Sequence, residues 1–265
     1  MGRPKHRRLG QNFLTDGNVA RRIVDLLGDE PARVVEIGPG RGALTGPLLD
    51  RFATVRALEL DERLIAPLEA RLGARGLEIV HADALTADLE EILGAGGRWQ
   101  LAANLPYSVG SAILRRLLPR HDLLDRIVVM LQREVARRVV AEPGGGNHGM
   151  LALERAAWAD ARIAFEVSPR CFRPVPKVVS AVLVLTPRRP PAPAAEVDRA
   201  LALAGRALTR PRKMLPNALG GGVTAEIVKA AGLDPTTRPG GLSLEDWLRL
   251  SALLQADPQR RDDLG

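Results

Sequence analysis

The stretch "RVVEIGPGRGALT", Arg33 to Thr45, decides the fold. Its first half is a short apolar, β-branched run that stops at a glycine, and it reads as a buried strand. Gly38, Gly40 and Gly42 follow at once, and the chain then continues as a helical run, "ALTGPLLDRF". A turn without side chains can approach a ligand closely and take up positive φ. At a helix N-terminus its backbone N–H groups then face that ligand. The same glycines also suit an ordinary tight strand-to-helix turn, so they do not decide function alone.

Outward from this stretch, strand and helix alternate. "DGNVARRIVDLLGD" (Asp16 to Asp29) places Val19, Ile23, Leu26 and Leu27 at helical spacing behind a capping Asp. "TVRALEL" (Thr54 to Leu60), "LEIVHAD" (Leu77 to Asp83), "WQLAAN" (Trp99 to Asn104) and "RIVVMLQ" (Arg126 to Gln132) read as further strands. "DERLIAPLEARLG", "VGSAILRRLLP" and "REVARRVVAEP", the last closed by Pro143, read as helices between or after them. Repeated alternation predicts an α/β fold with a parallel sheet covered on both faces. "ARIAFEV" (Ala161 to Val167) and "SAVLVLTP" (Ser180 to Pro187) have no helix between them and are expected to pair antiparallel. In such sheets ligands bind outside the carboxyl ends of the strands. That rule puts Gly38, Glu59, Asp83 and Asn104 on one edge, because each closes a strand.

The first domain is expected over residues 1–187, a Pro/Ala linker over 188–195, and a small helical domain over 196–265, where helical periods run without a strand signal. The final "DPQRRDDLG" reads as a frayed tail. No apolar run approaches the roughly 20 residues of a membrane span. The basic start, "MGRPKHRRLGQNF", lacks an apolar signal core. A cytoplasmic protein that does not enter a membrane is the expectation. The single cysteine, Cys171, excludes an internal disulfide and a cysteine metal cluster, and no metal site is expected. A net charge of +7 favours a polyanionic partner, with a merely solvated basic surface as the alternative.

The strand-end residues carry the chemistry. Glu59 lies about twenty residues beyond the first glycine, where an acid can bond ribose hydroxyls. The glycine spacing is G-x-G-x-G, which disfavours a nicotinamide dinucleotide. Asp83 could accept a hydrogen bond from an adenine amino group. Each acid could instead cap the next helix. Together they describe an adenosine pocket without a pyrophosphate clamp, and S-adenosylmethionine fits that description.

"AANLPYSVGSAIL" (Ala102 to Leu114) holds the chain's only tyrosine. The exocyclic amine of a base is a poor nucleophile, because its lone pair is delocalised into the ring. Acceptors that hold its two N–H bonds can turn the lone pair outward. Asn104 offers a side-chain carbonyl and Leu105 a backbone one. Pro106 stiffens the turn, and Tyr107 can stack on the base. The alternative is an ordinary strand exit with Tyr107 packed in the core.

"LGQNFLTD", "VVEIGPGRGALT", "ALELD", "HADAL", "NLPYSVGSAIL", "VVMLQREVARRVVA" and "SPRCFRPVPKVVSAVLVL" occur in this order. Jointly they resemble the ribosomal RNA adenine dimethyltransferase family, most closely its housekeeping branch acting on small-subunit rRNA. The resemblance runs from about Leu9 to Leu185 and extends loosely beyond. It implies a Rossmann-like, S-adenosylmethionine-dependent methyltransferase domain followed by a small helical domain. It implies cofactor contacts at Asn12, Leu14, Gly38, Gly40, Glu59, Asp83 and Asn104. It implies a catalytic set of Asn104, Leu105, Pro106, Tyr107 and Phe172, with Phe172 sandwiching the target base against Tyr107. The implied partner is rRNA in an immature small ribosomal subunit, met by a monomer. A large-subunit methyltransferase conferring antibiotic resistance and a non-catalytic assembly factor on the same fold are the alternatives. Val179 stands where the family often has an acid, and Pro211 and Pro216 interrupt a basic pattern in the C-terminal domain. Three clusters would meet phosphate, or else form solvated faces: Arg3, Lys5, Arg7 and Arg8; Arg133, Arg137 and Arg138; Arg206, Arg210, Arg212 and Lys213.

Overall fold

The structure, a computed structural model, describes residues 12–94 and 97–256. The basic cluster at Arg3, Lys5, Arg7 and Arg8 and the tail from Asp257 lie outside the described residues.

The run "RVVEI" forms β2 (Arg33–Ile37), with Val34, Val35 and Ile37 buried. It pairs in parallel with β3 (Thr54–Glu59) on one side and β5 (Trp99–Asn104) on the other. β4 (Leu77–His81) extends the parallel sheet beyond β3, and β6 (Leu124–Gln132) extends it beyond β5. β9 (Ser180–Pro187) then adds antiparallel to β6, with β7 (Ala159–Val167) outside it. The sheet order is β4-β3-β2-β5-β6-β9-β7. The chain builds one side of β2 first and returns to build the other, so the order reverses between β2 and β5. Ligand crevices of doubly wound sheets open at such a reversal.

Helices cover the crossovers: α1 (Gly17–Asp25) ahead of β2, α2 (Thr45–Arg51) after it, α3 (Glu62–Leu72) after β3, α4 (Leu89–Leu93) after β4, α5 (Gly110–Leu117) after β5 and α6 (Arg133–Val139) after β6. Asp16 caps α1, its carboxylate accepting the N–H groups of Asn18 and Val19 at 2.9 and 3.1 Å. Val19, Ala20, Ile23 and Val24 form the buried face of that helix. α6 ends at Val139, ahead of Pro143. A separate two-stranded ribbon pairs β1 (Phe13–Leu14) antiparallel with β8 (Phe172–Arg173).

The chain divides into two compact units. One runs up to Ala136 and resumes over Asp160–Pro187; the other is Arg137–Ala159 together with the chain from Arg188. Sequence alone carries the first domain unbroken to residue 187, and the structure corrects this for 137–159. The reason is packing. α7 (Met150–Trp158) buries Leu153 and Ala157 in one cluster with Val197, Ala200 and Leu203 of α8 (Ala194–Leu208). Leu215 of α9 (Leu215–Leu219), Val228 of α10 (Ala225–Ala230) and Trp247 and Leu250 of α11 (Leu244–Ala256) complete that cluster. α8 starts inside the Pro/Ala stretch. Pro211 lies in the turn after α8, and Pro216 in the first turn of α9, where a missing N–H costs no helical bond. The two prolines therefore separate two helices rather than distort one.

Gly42 closes the glycine turn at φ +78°, and a Cβ there would lie 2.6 Å from Leu68 Cδ1 of α3. Gly42→Ala is expected to cost about 1–3 kcal/mol, read as a lowered midpoint in urea unfolding.

Candidate active site

At the carboxyl ends of the parallel strands lies a cavity of about 580 Å³. That is within the roughly 300–1,000 Å³ usual for small-molecule sites. Asn12, Leu14, Gly38, Gly40, Glu59, Asp83, Asn104, Leu105, Pro106 and Tyr107 all line it. The two groups of residues singled out separately, the strand-end set and the "NLPY" turn, thus share one cavity.

β3 ends on Glu59, which is 4% exposed. Its Oε2 accepts the Gly40 N–H at 3.0 Å and its Oε1 accepts the Asp61 N–H at 2.8 Å. The carboxylate therefore ties the glycine turn after β2 to the entry of α3. Each carboxylate oxygen has a second lone pair for a ligand hydroxyl. Glu59 does not cap α3; Asp61 does, through the Arg63 N–H. Asp83 accepts the N–H of Leu85 at 2.8 Å and closes a turn, while α4 is capped by Asp88. Gly38 has φ +67°, and a Cβ built on it meets nothing within 4 Å. A side chain there would occupy the cavity's own space.

Glu36 also lines the cavity, and sequence reading passed over it as one position of an apolar strand. It is 1% exposed, and Thr45 donates its hydroxyl to Oε2 at 2.6 Å. Burial pushes its carboxyl up to about 8; the Thr45 bond opposes this and the Glu59 charge adds to it. An acid inside a strand buried on both faces was the available signal.

The "NLPY" turn is fixed by backbone bonds. The Leu105 N–H donates to the Met130 carbonyl at 3.1 Å, and the Pro106 carbonyl accepts from Val109 and Gly110 at 3.2 and 2.8 Å. Asn104 Nδ2 donates to the Asn12 carbonyl at 3.1 Å. Tyr107 is half-buried, and its hydroxyl lies 2.6 Å from Ser180 Oγ. Burial pushes the Tyr107 phenol up, against the Ser180 bond.

Phe172 departs from expectation. It is fully buried in the core cluster with Leu14, Ile23 and Met130, and it is not among the lining residues. The β1–β8 pairing sets Leu14 opposite Phe172, and both side chains lie in that buried cluster. In this arrangement Phe172 offers no face to a base opposite Tyr107. Phe13, which the sequence did not single out, does line the cavity. A Cβ on Gly40 would approach its ring to 3.1 Å, and the Arg41 guanidinium lies 4.7 Å from the ring centre.

Three carboxyl groups, Glu36, Glu59 and Asp83, line the cavity against one guanidinium, that of Arg41. Among the described residues, this donor set fits a cationic adenosine derivative such as S-adenosylmethionine and offers no cluster of cations for a pyrophosphate. Among the described residues no group of acids, histidines or cysteines forms a metal site. No described helix is long and apolar enough to cross a membrane. The sheet order and this acid-lined cavity define the class: a Rossmann-like, S-adenosylmethionine-dependent methyltransferase.

The sequence matches the family description "Ribosomal RNA adenine dimethylase" over residues 2–256, and the chain belongs to that family. It is 40% identical over 250 residues to the ribosomal RNA small subunit methyltransferase A of Methylococcus capsulatus, covering 94% of this chain and 97% of that one. It is 41% identical over 251 residues to the protein of the same name from Chelativorans sp., covering 92% and 90%. Among solved structures, the 23S rRNA methyltransferase ErmE superposes with a TM-score of 0.71 at 27% identity, covering 92% of this chain and all of that one. A dimethyladenosine transferase from Plasmodium falciparum shares the fold, with a TM-score of 0.76 at 21% identity, covering 94% and 98%.

The raised affinity of Glu36 for its proton has a signed consequence. Between its ordinary 4.5 and about 8, the unfolded chain gives up a proton that the folded chain keeps. Stability therefore falls as pH rises through that window. Glu36→Gln removes the titration, so its thermal midpoint is expected to gain on wild type from about pH 5 to about pH 8.

Proposed function

We propose that the protein transfers two methyl groups from S-adenosylmethionine to N6 of adenosines in small-subunit rRNA. It acts as a monomer on an immature small subunit in the cytoplasm. The observation that carries this reading is the orientation of Asn104. A backbone carbonyl can only accept, so the Asn12 carbonyl holds the amide NH₂ of Asn104. Oδ1 is then the atom left to accept an N–H from the target amine.

The Leu105 carbonyl would accept the second N–H. With both N–H bonds held, the nitrogen lone pair turns out of conjugation and toward the donor. Tyr107 would stack on the base. The glycine turn, Glu59, Asp83, Asn12 and Leu14 would hold the cofactor; when bound, it supplies an electrophilic methyl group on a sulfonium. The protein's own contribution is positioning and electrostatics in a partly dry cavity. A target base must leave its stack to reach such a cavity. Relatives about 40% identical and named for the small subunit favour that target over the large-subunit RNA of the more distant ErmE.

The second unit would hold RNA. Between Asp198 and Glu226 the sequence contains no acid, while Arg206, Arg210, Arg212 and Lys213 are exposed there. Replacing Arg212 and Lys213 with Ala is expected to weaken RNA binding without changing target choice. The salt slope of binding should fall by about 1 per removed phosphate contact.

The direct test supplies labelled S-adenosylmethionine with immature small subunits and, separately, large-subunit RNA. Transfer should go to the small subunit and yield dimethyladenosine. Asn104→Ala should lower turnover by about 10²-fold or more at saturating cofactor. A fully active Asn104→Ala enzyme, or transfer to large-subunit RNA alone, would overturn this reading.

A further inference from the structure

Ser180 is one of seven buried polar or charged residues among the described residues, and it lies outside the cavity lining. Nothing in the mechanism above uses it. Its position follows from topology. β9 runs antiparallel to β6, so its first residue, not its last, reaches the edge where the parallel strands end. Ser180 stands opposite Gln132, the final residue of β6. The next rung is also closed: the Arg133 N–H donates to the Val179 carbonyl at 2.9 Å. The hydroxyl is therefore presented from rigid backbone, with 0% exposure, at 2.6 Å from the Tyr107 phenol oxygen.

We propose that Ser180 is a positioning residue for methyl transfer, its hydroxyl holding the far end of the Tyr107 ring so that the ring stays where the target adenine stacks. This rests on the reading above that Tyr107 meets the base. A tyrosine on a turn is tethered at Cα only. A hydrogen bond at the phenol oxygen anchors the opposite end and holds the axis of the ring. Rotation about that axis is the freedom that remains. A stacking platform held in place before the base arrives does not have to be ordered when the base arrives. The antiparallel strand thereby contributes to catalysis from outside the cofactor pocket.

The chain's only tyrosine makes the contact observable. Protein grown with tyrosine carbon-13-labelled at Cζ should show one tyrosine resonance, and Ser180→Ala should shift it. Ser180→Ala and Tyr107→Phe should each lower kcat roughly three- to tenfold, with the affinity for S-adenosylmethionine unchanged. The double variant should be no slower than the slower single one, because both remove the same bond. Losses that multiply, an unshifted resonance, or a parallel loss of cofactor affinity would each overturn the proposal. Tyr107→Ala separates it from the reading beneath it. If Tyr107→Ala is slow and Ser180→Ala is not, only the role of Ser180 fails. If Tyr107→Ala is fully active, the stacking role of Tyr107 fails first.

Discussion

Two hydrogen bonds to one buried carboxylate hold the cofactor end of the site together. Glu59 takes the N–H of Gly40 with one oxygen and the N–H of Asp61 with the other. These amides belong to two different strand-to-helix turns. Without the carboxylate both would lose their partner in a place almost closed to water, at a cost of about 1–3 kcal/mol for each buried group left unpaired. The shape of the glycine turn, and through it the floor of the cavity, depends on that junction.

The reactive end is built by the same logic with different partners. The turn after β5 is pinned to β6 by the Leu105 amide and closed by the Pro106 carbonyl. Asn104 and Tyr107 are each fixed from a distant part of the chain. Asn104 is held by the backbone carbonyl of Asn12, just ahead of β1, and Tyr107 by the first residue of the antiparallel strand. Both polar side chains thus have one hydrogen-bonding group committed to the protein. Catalysis by positioning needs such commitments, since a loose carboxamide or ring would spend binding energy on its own ordering.

What the sequence made legible was local. Strand ends at Ile37, Glu59 and Asn104 follow from short apolar runs that stop at a glycine or a polar residue, and the ligand-edge rule gathers them. The rest depends on pairings far apart in the chain. Leu14 meets Phe172 across a two-residue ribbon, too short to leave a periodic signal, and this buries the ring expected at the base. The segment 137–159 contains the run "PGGGNHG", which by itself reads only as a loop, yet Leu153 and Ala157 commit the helix after it to the second unit. Glu36 was visible as an acid in an apolar strand, but its raised proton affinity comes from burial that only the assembled sheet produces. Nothing local to Ser180 says that an antiparallel strand brings it to the phenol of Tyr107.

Strand-end carboxylates that hold S-adenosylmethionine beside the "NLPY" turn must set its affinity. Calorimetric titration of the cofactor into wild type and Glu59→Ala tests it most directly, with circular dichroism as the check on folding. Wild type should bind saturably, and a folded Glu59→Ala should lose at least about a hundredfold in affinity, equivalent to roughly 2.7 kcal/mol. A folded Glu59→Ala that binds S-adenosylmethionine as tightly as wild type would contradict it.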